Sequence, residues 1–82
     1  YRAPGSDRWE KKDWDWVLDR IATNVQKTRD AGFIETENGA PVNRVENIAC
    51  LGGATLDNEE CYLLYKQMRS LGIVYLEHQA RL

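Results

Sequence analysis

The chain of 82 residues has no run of 18 or more apolar residues, so no segment is suited to cross a bilayer as a helix. It lacks the basic, apolar and small-residue succession of a secretory signal. It opens with Tyr1 rather than Met, and a cut or processed piece is therefore expected. Basic residues are not in excess either. Eleven Lys and Arg are scattered among thirteen Asp and Glu, giving a net charge of −2 and a pI near 5.3. A binder of phosphate backbones needs a basic face, so no nucleic-acid partner is expected. The three Trp and four Tyr are accordingly read as packing groups, not base-stacking platforms. Cysteine is scarce: Cys50 and Cys61 carry neither CxxC nor metal-ligand spacing. Cys50 falls in an apolar run and Cys61 on the apolar stripe of a helix. Two reduced, buried thiols are expected, with a disulfide between them left open. There is no G-x-G-x-x-G, no Walker lysine, no internal repeat and no low-complexity segment.

What is present fits a single domain fragment, 1–82, near the lower size limit for a self-supporting core. Residues 1–8, with Pro4 and Gly5, read as an extended lead-in. A helix is predicted over 13–31, because Trp14, Val17, Leu18, Ile21 and Val25 share one face at helical spacing. Asp13 serves as its N-cap, and Asp15 at the start with Lys27 and Arg29 at the end suit the helix dipole. Gly32 is expected to close it in the left-handed conformation. Residues 33–45 read as a small hairpin or extended excursion, with Asn38-Gly39 as the tight turn between Phe33–Thr36 and Val42–Val45. Pro41 restricts the second run to an edge or a late start.

The last third is the most regular. A short buried strand is predicted at 47–51, ending in Gly52-Gly53. A helix follows at 56–71, with Cys61, Leu64, Tyr65, Met68 and Leu71 on one face and Asp57 with Glu60 as a capping box. Gly72 ends it, and a strand at 73–78 follows. The fold class is therefore α/β: an N-terminal helix, a hairpin region, and a βαβ unit with parallel strands, as a fragment of a larger α/β domain. Parallel strands are normally covered on both faces. The two helices lie either on opposite faces or together on one.

Ligands of open α/β sheets bind beyond the carboxyl ends of the strands. Here those ends are Leu51-Gly52-Gly53-Ala54-Thr55 and Glu77-His78-Gln79-Ala80-Arg81, on one edge of the sheet. The paired glycines permit close backbone approach, and the helix behind them is expected to offer free N–H groups to an anionic or hydrogen-bonding ligand. The plainer reading is that the glycines only make the turn. His78 is either a proton shuttle or an ordinary loop histidine, with no nucleophile or carboxylate placed beside it as a triad. Arg81 is either a solvated charge or an anion clamp.

The stretches "GGATLDNEE" and "LYKQMRSLGIVYLEHQARL", with "YRAPGSDRWEKKDWDWVLDRIA" before them, resemble the molybdopterin oxidoreductase family. Within it they most resemble the catalytic large subunits of formate dehydrogenases carrying molybdenum or tungsten. The likeness runs in order along essentially the whole chain. It implies a bis(molybdopterin guanine dinucleotide) cofactor with Mo or W, a [4Fe-4S] cluster, and oxidation of formate to carbon dioxide, with electrons leaving through the cluster. It also implies the rest of the large subunit and an iron–sulfur electron-transfer subunit as partners, and often a periplasmic location. By the same resemblance Gly53, Ala54 and Thr55 lie along the pterin, with any contact at Ala54 made by the backbone, and Gln79 matches a position, commonly Asn, that often contacts the cofactor. Gly52 and Arg81, candidates from the pattern of the two loops, are counted with them as cofactor-binding residues. A Cys or selenocysteine metal ligand would follow Leu82, so no catalytic residue and no metal ligand falls within the chain. A selenocysteine codon read as stop is one expected reason for that end, and a deliberately trimmed polypeptide is the other.

The implied function is thus part of a formate dehydrogenase catalytic subunit, inactive alone and with no cofactor held tightly. The alternative is a small standalone α/β domain that binds a ligand or another protein. As a piece of a larger enzyme the chain should expose apolar surface, with Trp9, Trp16, Tyr62 and Ile73 as candidates, and should fold marginally or self-associate.

Overall fold

Residues 1–81 are described by the structure, a computed structural model. Helix α1 spans Trp14–Gly32. Its N-cap is Asp13, whose Oδ1 accepts a hydrogen bond from the Trp16 N–H at 2.9 Å. Before it, residues 1–10 close into a loop: the Tyr1 ammonium donates to the Glu10 carbonyl at 2.8 Å, and the Glu10 N–H donates back to the Tyr1 carbonyl at 2.7 Å. The Tyr1 ring meets Trp16 edge-on, with centroids 4.8 Å apart. The first segment is therefore a closed loop docked on the helix, not an extended one.

The helix does not end on a left-handed glycine. Gly32 does not have positive φ, and Phe33, at the C-cap, is already extended. Glycine is required here for a different reason. A Cβ at Gly32 would overlap the side-chain amide of Asn47, whose Nδ2 donates to the Thr28 carbonyl at 2.8 Å. Close approach of a strand to the helix end explains the residue; a left-handed cap does not.

Strand β1 (Phe33–Glu37) and strand β2 (Ala40–Gly52) form an antiparallel hairpin. Its two-residue turn has φ of +53° at Asn38 and +81° at Gly39, the positive pair that a twisted hairpin needs. Register slips between Ile34 and Thr36, and the opposing strand carries Asn43 at φ +44°, as in a bulge with a left-handed residue. Strand β3 (Ile73–His78) runs parallel to β2, after helix α2 (Asn58–Ser70). Sheet order is β1-β2-β3. The α/β class and the parallel βαβ unit are as predicted.

The sequence reading separates a hairpin arm ending at 45 from a strand at 47–51, and the structure joins them in β2. The join is Val45, which pairs with Phe33 on one side and Ile73 on the other. Pro41 is tolerated in this central strand because β3 pairs with β2 only from Val45 onward, so beside Pro41 the strand is still an edge. Gly72 ends α2 at φ +86°, and a Cβ there would stand 2.7 Å from the Asn43 carbonyl oxygen.

Both helices lie on one face of the sheet. Ile48 of β2 shares a hollow with Asn24, Val25 and Thr28 of α1. Leu76 of β3 shares another with Cys61, Leu64 and Tyr65 of α2. The helices flank a common groove between Leu18, Ile21 and Val25 on one and Met68 and Leu71 on the other. Arg29 ties their C-terminal ends, donating from Nε to the Leu71 carbonyl at 2.8 Å.

Burial is slight. Among the described residues only Val45 and Ile73 are buried apolar side chains. Ile73 is thus core and not exposed surface, and Trp16 is half-buried under Tyr1, whereas Trp9 and Tyr62 are exposed as expected. The predicted helical stripe is largely open: Trp14 is 77% exposed, and Leu18 and Ile21 more than half. Cys50 and Cys61 are free thiols, half-buried rather than buried. Accessible surface is 7059 Å², against about 5,000 Å² for a self-standing protein of this mass. The radius of gyration is 15.6 Å, against about 12 Å for a compact chain of this length.

The Arg44 guanidinium binds Glu37 at 2.7 Å and Glu46 at 2.9 Å. Its hydrogen bond to Glu37, and then its charge, holds that carboxyl below the ordinary carboxylate range. A carboxyl lowered on folding stabilises the fold above its unfolded pKa, and that stabilisation is lost as pH falls through the folded value. The hairpin should therefore loosen as pH drops below the ordinary carboxylate range; hairpin amide shifts followed by NMR check this, and Glu37→Gln should flatten the response. Gly32→Ala should destabilise by about 1–3 kcal/mol, because Asn47 is displaced and the Thr28 carbonyl loses its donor. In denaturant titrations, adding Asn47→Ala should recover the part of that loss due to overlap.

Candidate functional site

The parallel pairing sets Gly52 beside His78. Successive residues of a strand alternate faces and paired residues share one, so Gly52 and His78 lie on the helix-covered face with Cys50 and Leu76. Strands β2 and β3 run the same way, and their carboxyl ends therefore emerge side by side. Between them and α2 is a cavity of about 180 Å³, lined by Gly52, Gly53, Leu56, Cys61, Leu64, Tyr65, Leu76, Glu77 and His78. The two loops singled out in the sequence thus border one site.

Nothing in the local fold requires glycine at the turn. Neither Gly52 nor Gly53 has positive φ. A Cβ at Gly53 would meet nothing within 4 Å, and one at Gly52 would make an ordinary 3.7 Å contact with the Glu77 carbonyl oxygen. Omitting side chains here leaves backbone accessible from the cavity side.

His78 is the second polar feature. Its Nδ1 is buried and, among the described residues, is the only buried side-chain polar atom without a hydrogen-bond partner. An orphaned buried nitrogen costs about 1–3 kcal/mol, so a partner for it is to be looked for in what packs against this end of the strand. The sequence offered a weak signal for it: His78 continues the alternation of Leu76 and ends the strand opposite Gly52.

At the N-terminus of helix α2, part of the N–H set expected to face a ligand is taken by the chain's own side chains. Asp57 Oδ1 accepts from the Glu60 N–H at 2.8 Å, and Glu60 Oε2 accepts from the Asp57 N–H at 3.2 Å. The capping box therefore occupies these donors with the chain's own carboxylates, and Glu59 adds a further negative charge to the first turn. Three carboxylates thus stand at the positive helix end, and a phosphate there would meet like charge. The remaining wall is mainly apolar, which suits an uncharged ring with hydrogen-bonding edges.

Ala54 and Thr55 are exposed on the loop before α2, and Gln79 is exposed in a 3₁₀ turn directly after β3. They flank the cavity without being among its lining residues. The Arg81 side chain and Leu82, the position before the implied metal ligand, lie outside the described residues. No group of three or more His, Cys, Asp or Glu suited to hold a metal is assembled among the described residues.

No family model matches the chain. It is 55% identical over 83 residues to formate dehydrogenase subunit alpha of Megalodesulfovibrio gigas, covering 100% of this chain and 8% of that protein. It is 48% identical to formate dehydrogenase 2 subunit alpha (cytochrome c-553) of Nitratidesulfovibrio vulgaris, covering 99% of this chain and 8% of that protein. It is 40% identical to the formate dehydrogenase-O major subunit of Escherichia coli K12, with the same coverages of 99% and 8%. The chain thus spans 8% of the length of the curated relatives it matches. These identities, held over the whole chain, support a fragment of a formate dehydrogenase large subunit.

Asp57→Ala should destabilise α2 by about 1 kcal/mol, while Asp57→Asn, which retains a capping oxygen, should cost only a few tenths. Chemical denaturation of the two variants checks this.

Proposed function

We propose that this segment forms one wall of the cofactor cradle in the catalytic large subunit of a formate dehydrogenase. The cofactor would be bis(molybdopterin guanine dinucleotide) carrying Mo or W. One observation carries the assignment. Gly52, Gly53 and His78, whose Nδ1 is buried without a partner, line a single cavity at the carboxyl ends of two parallel strands, where α/β sheets bind their ligands. The residues fit the uncharged heterocycle of such a cofactor, whose ring edges carry donors and acceptors for backbone groups and an imidazole nitrogen. They do not fit its phosphates at the start of α2, where Asp57, Glu59 and Glu60 stand. That mismatch also weighs against a standalone nucleotide-binding module.

When bound, the cofactor supplies the metal at which formate is oxidised to carbon dioxide. This chain's residues have a positioning role: Gly52 and Gly53 admit the ring, Ala54, Thr55 and Gln79 border it from the flanking loops, and His78 orients an edge. Electrons would leave through a [4Fe-4S] cluster held elsewhere in the large subunit, toward an iron–sulfur partner subunit. A periplasmic site for the whole enzyme belongs to the same reading. The 82 residues alone would hold no cofactor firmly and turn over no formate.

The test uses the full-length large subunit. Gly53→Val places a branched side chain where an added Cβ would meet nothing within 4 Å. It should leave the thermal midpoint near wild type and lower bound pterin per chain about tenfold, equivalent to about 1.4 kcal/mol. Full cofactor content in that variant, measured by pterin fluorescence after release, would overturn the assignment.

A further inference from the structure

The tip of the hairpin carries chemistry that the cavity does not use. Asn38 is followed by Gly39, and both are exposed. Asparagine is a chemically labile residue, because its side-chain amide is open to attack by the backbone nitrogen of the residue that follows. A side chain on that next residue hinders the attack, and so does a hydrogen bond that holds its N–H. Neither obstacle stands here. Gly39 has no side chain, and even an added Cβ would meet nothing within 4 Å. Among the described residues the Gly39 N–H donates to no backbone carbonyl, because the ladder resumes with Glu37 opposite Ala40.

The tip is also composed for water. From Glu35 to Pro41 every residue is exposed and none carries a large apolar side chain. Burying Glu35 and Glu37 would cost the desolvation of two carboxylates. Leu51 and Tyr75, farther along the sheet, are exposed and apolar, so a larger domain gains by covering them and not by covering the tip. The tip lies at the start of β2, and the cavity lies at its carboxyl end.

We propose that Asn38 is a site of spontaneous deamidation. The Gly39 nitrogen bonds to Asn38 Cγ and gives up its proton, and the side-chain nitrogen leaves as ammonia. A cyclic imide remains. Water then adds to one imide carbonyl and breaks its bond to the Gly39 nitrogen, and the oxygen of that water becomes part of a new carboxylate. Opening at the side-chain carbonyl gives aspartate, and opening at the main-chain carbonyl gives isoaspartate. The two products act differently on the hairpin. Aspartate tolerates the φ of +53° at position 38, so the turn survives with an added charge beside Glu37. Isoaspartate routes the main chain through Cβ. That lengthens the link of a two-residue turn, whose length sets the register, and the pairing of Glu37 with Ala40 is lost. Nothing in this chemistry involves the cofactor.

The experiment uses the full-length large subunit in its complex, incubated at mildly alkaline pH and sampled over time. A sample digested at the start sets the background from handling. The peptide carrying Asn38 is expected to give way to two new forms, each heavier by the difference between an amide and an acid. One of them should accept a methyl group from protein isoaspartate methyltransferase. Asn24, Asn43, Asn47 and Asn58 are followed by Val25, Arg44, Ile48 and Glu59, and they serve as internal references that should stay unmodified. An Asn38 peptide that stays intact while a free synthetic peptide of the same sequence is converted would overturn the proposal. Conversion of the four reference asparagines at the same rate would overturn it as well.

Discussion

The fold depends on the hydrogen-bonded junction at Val45. This residue pairs with Phe33 of one neighbouring strand and Ile73 of the other, and its N–H donates to the Gly72 carbonyl at 2.7 Å. It is fully buried, and Ile73 beside it nearly so. Among the described residues, no other residue of β2 pairs with both neighbouring strands. Strain collects around the junction: Asn43 and Gly72 both have positive φ and stand in contact, and the register of β2 against β3 slips between Val45 and Ala49. The slip coincides with the point where Asn47 reaches the end of α1, so the same irregularity that interrupts the ladder docks the helix.

From this junction β2 and β3 run together to Gly52 and His78, and their parallel direction creates the cavity. In an antiparallel arrangement the two loops would leave opposite ends of the sheet. The site is mostly apolar, with the glycine backbone, Tyr65, Glu77 and His78 as the polar members of its lining. Its negative side is set by the capping box of α2, which stabilises the helix and places carboxylates where an anion would otherwise be favoured. Stability of the local element and selectivity of the site therefore come from the same two carboxylates.

The slight burial has a consistent physical sense. With two buried apolar side chains among the described residues, there is little hydrophobic free energy to set against the entropy of ordering the backbone. Trp14, Leu18 and Ile21 on α1, and Leu51 and Tyr75 on the sheet, present apolar surface on opposite sides of the molecule. Such a distribution belongs to an internal layer of a larger domain. This agrees with relatives in which the matching stretch is 8% of the length.

Local rules made much of this legible. Asp13 and the pair Asp57 and Glu60 cap their helices as their spacing indicates, Asn38-Gly39 makes the turn, Gly72 ends α2, and the β-branched start of β3 forms a strand, because each depends on contacts within a few residues. The apolar stripe of α1 was legible as a helical face but not as an exposed one, since burial depends on what lies across from it. The role of Gly32 was hidden for the same reason: the amide that excludes a Cβ comes from Asn47, on another element. The union of two predicted strands in β2, the placement of both helices on one face, and the isolation of His78 Nδ1 were likewise decided by tertiary structure. Short-range periodicity and capping chemistry determine which elements form; which faces meet, and which polar atoms are left without partners, follows only when distant segments are brought into contact.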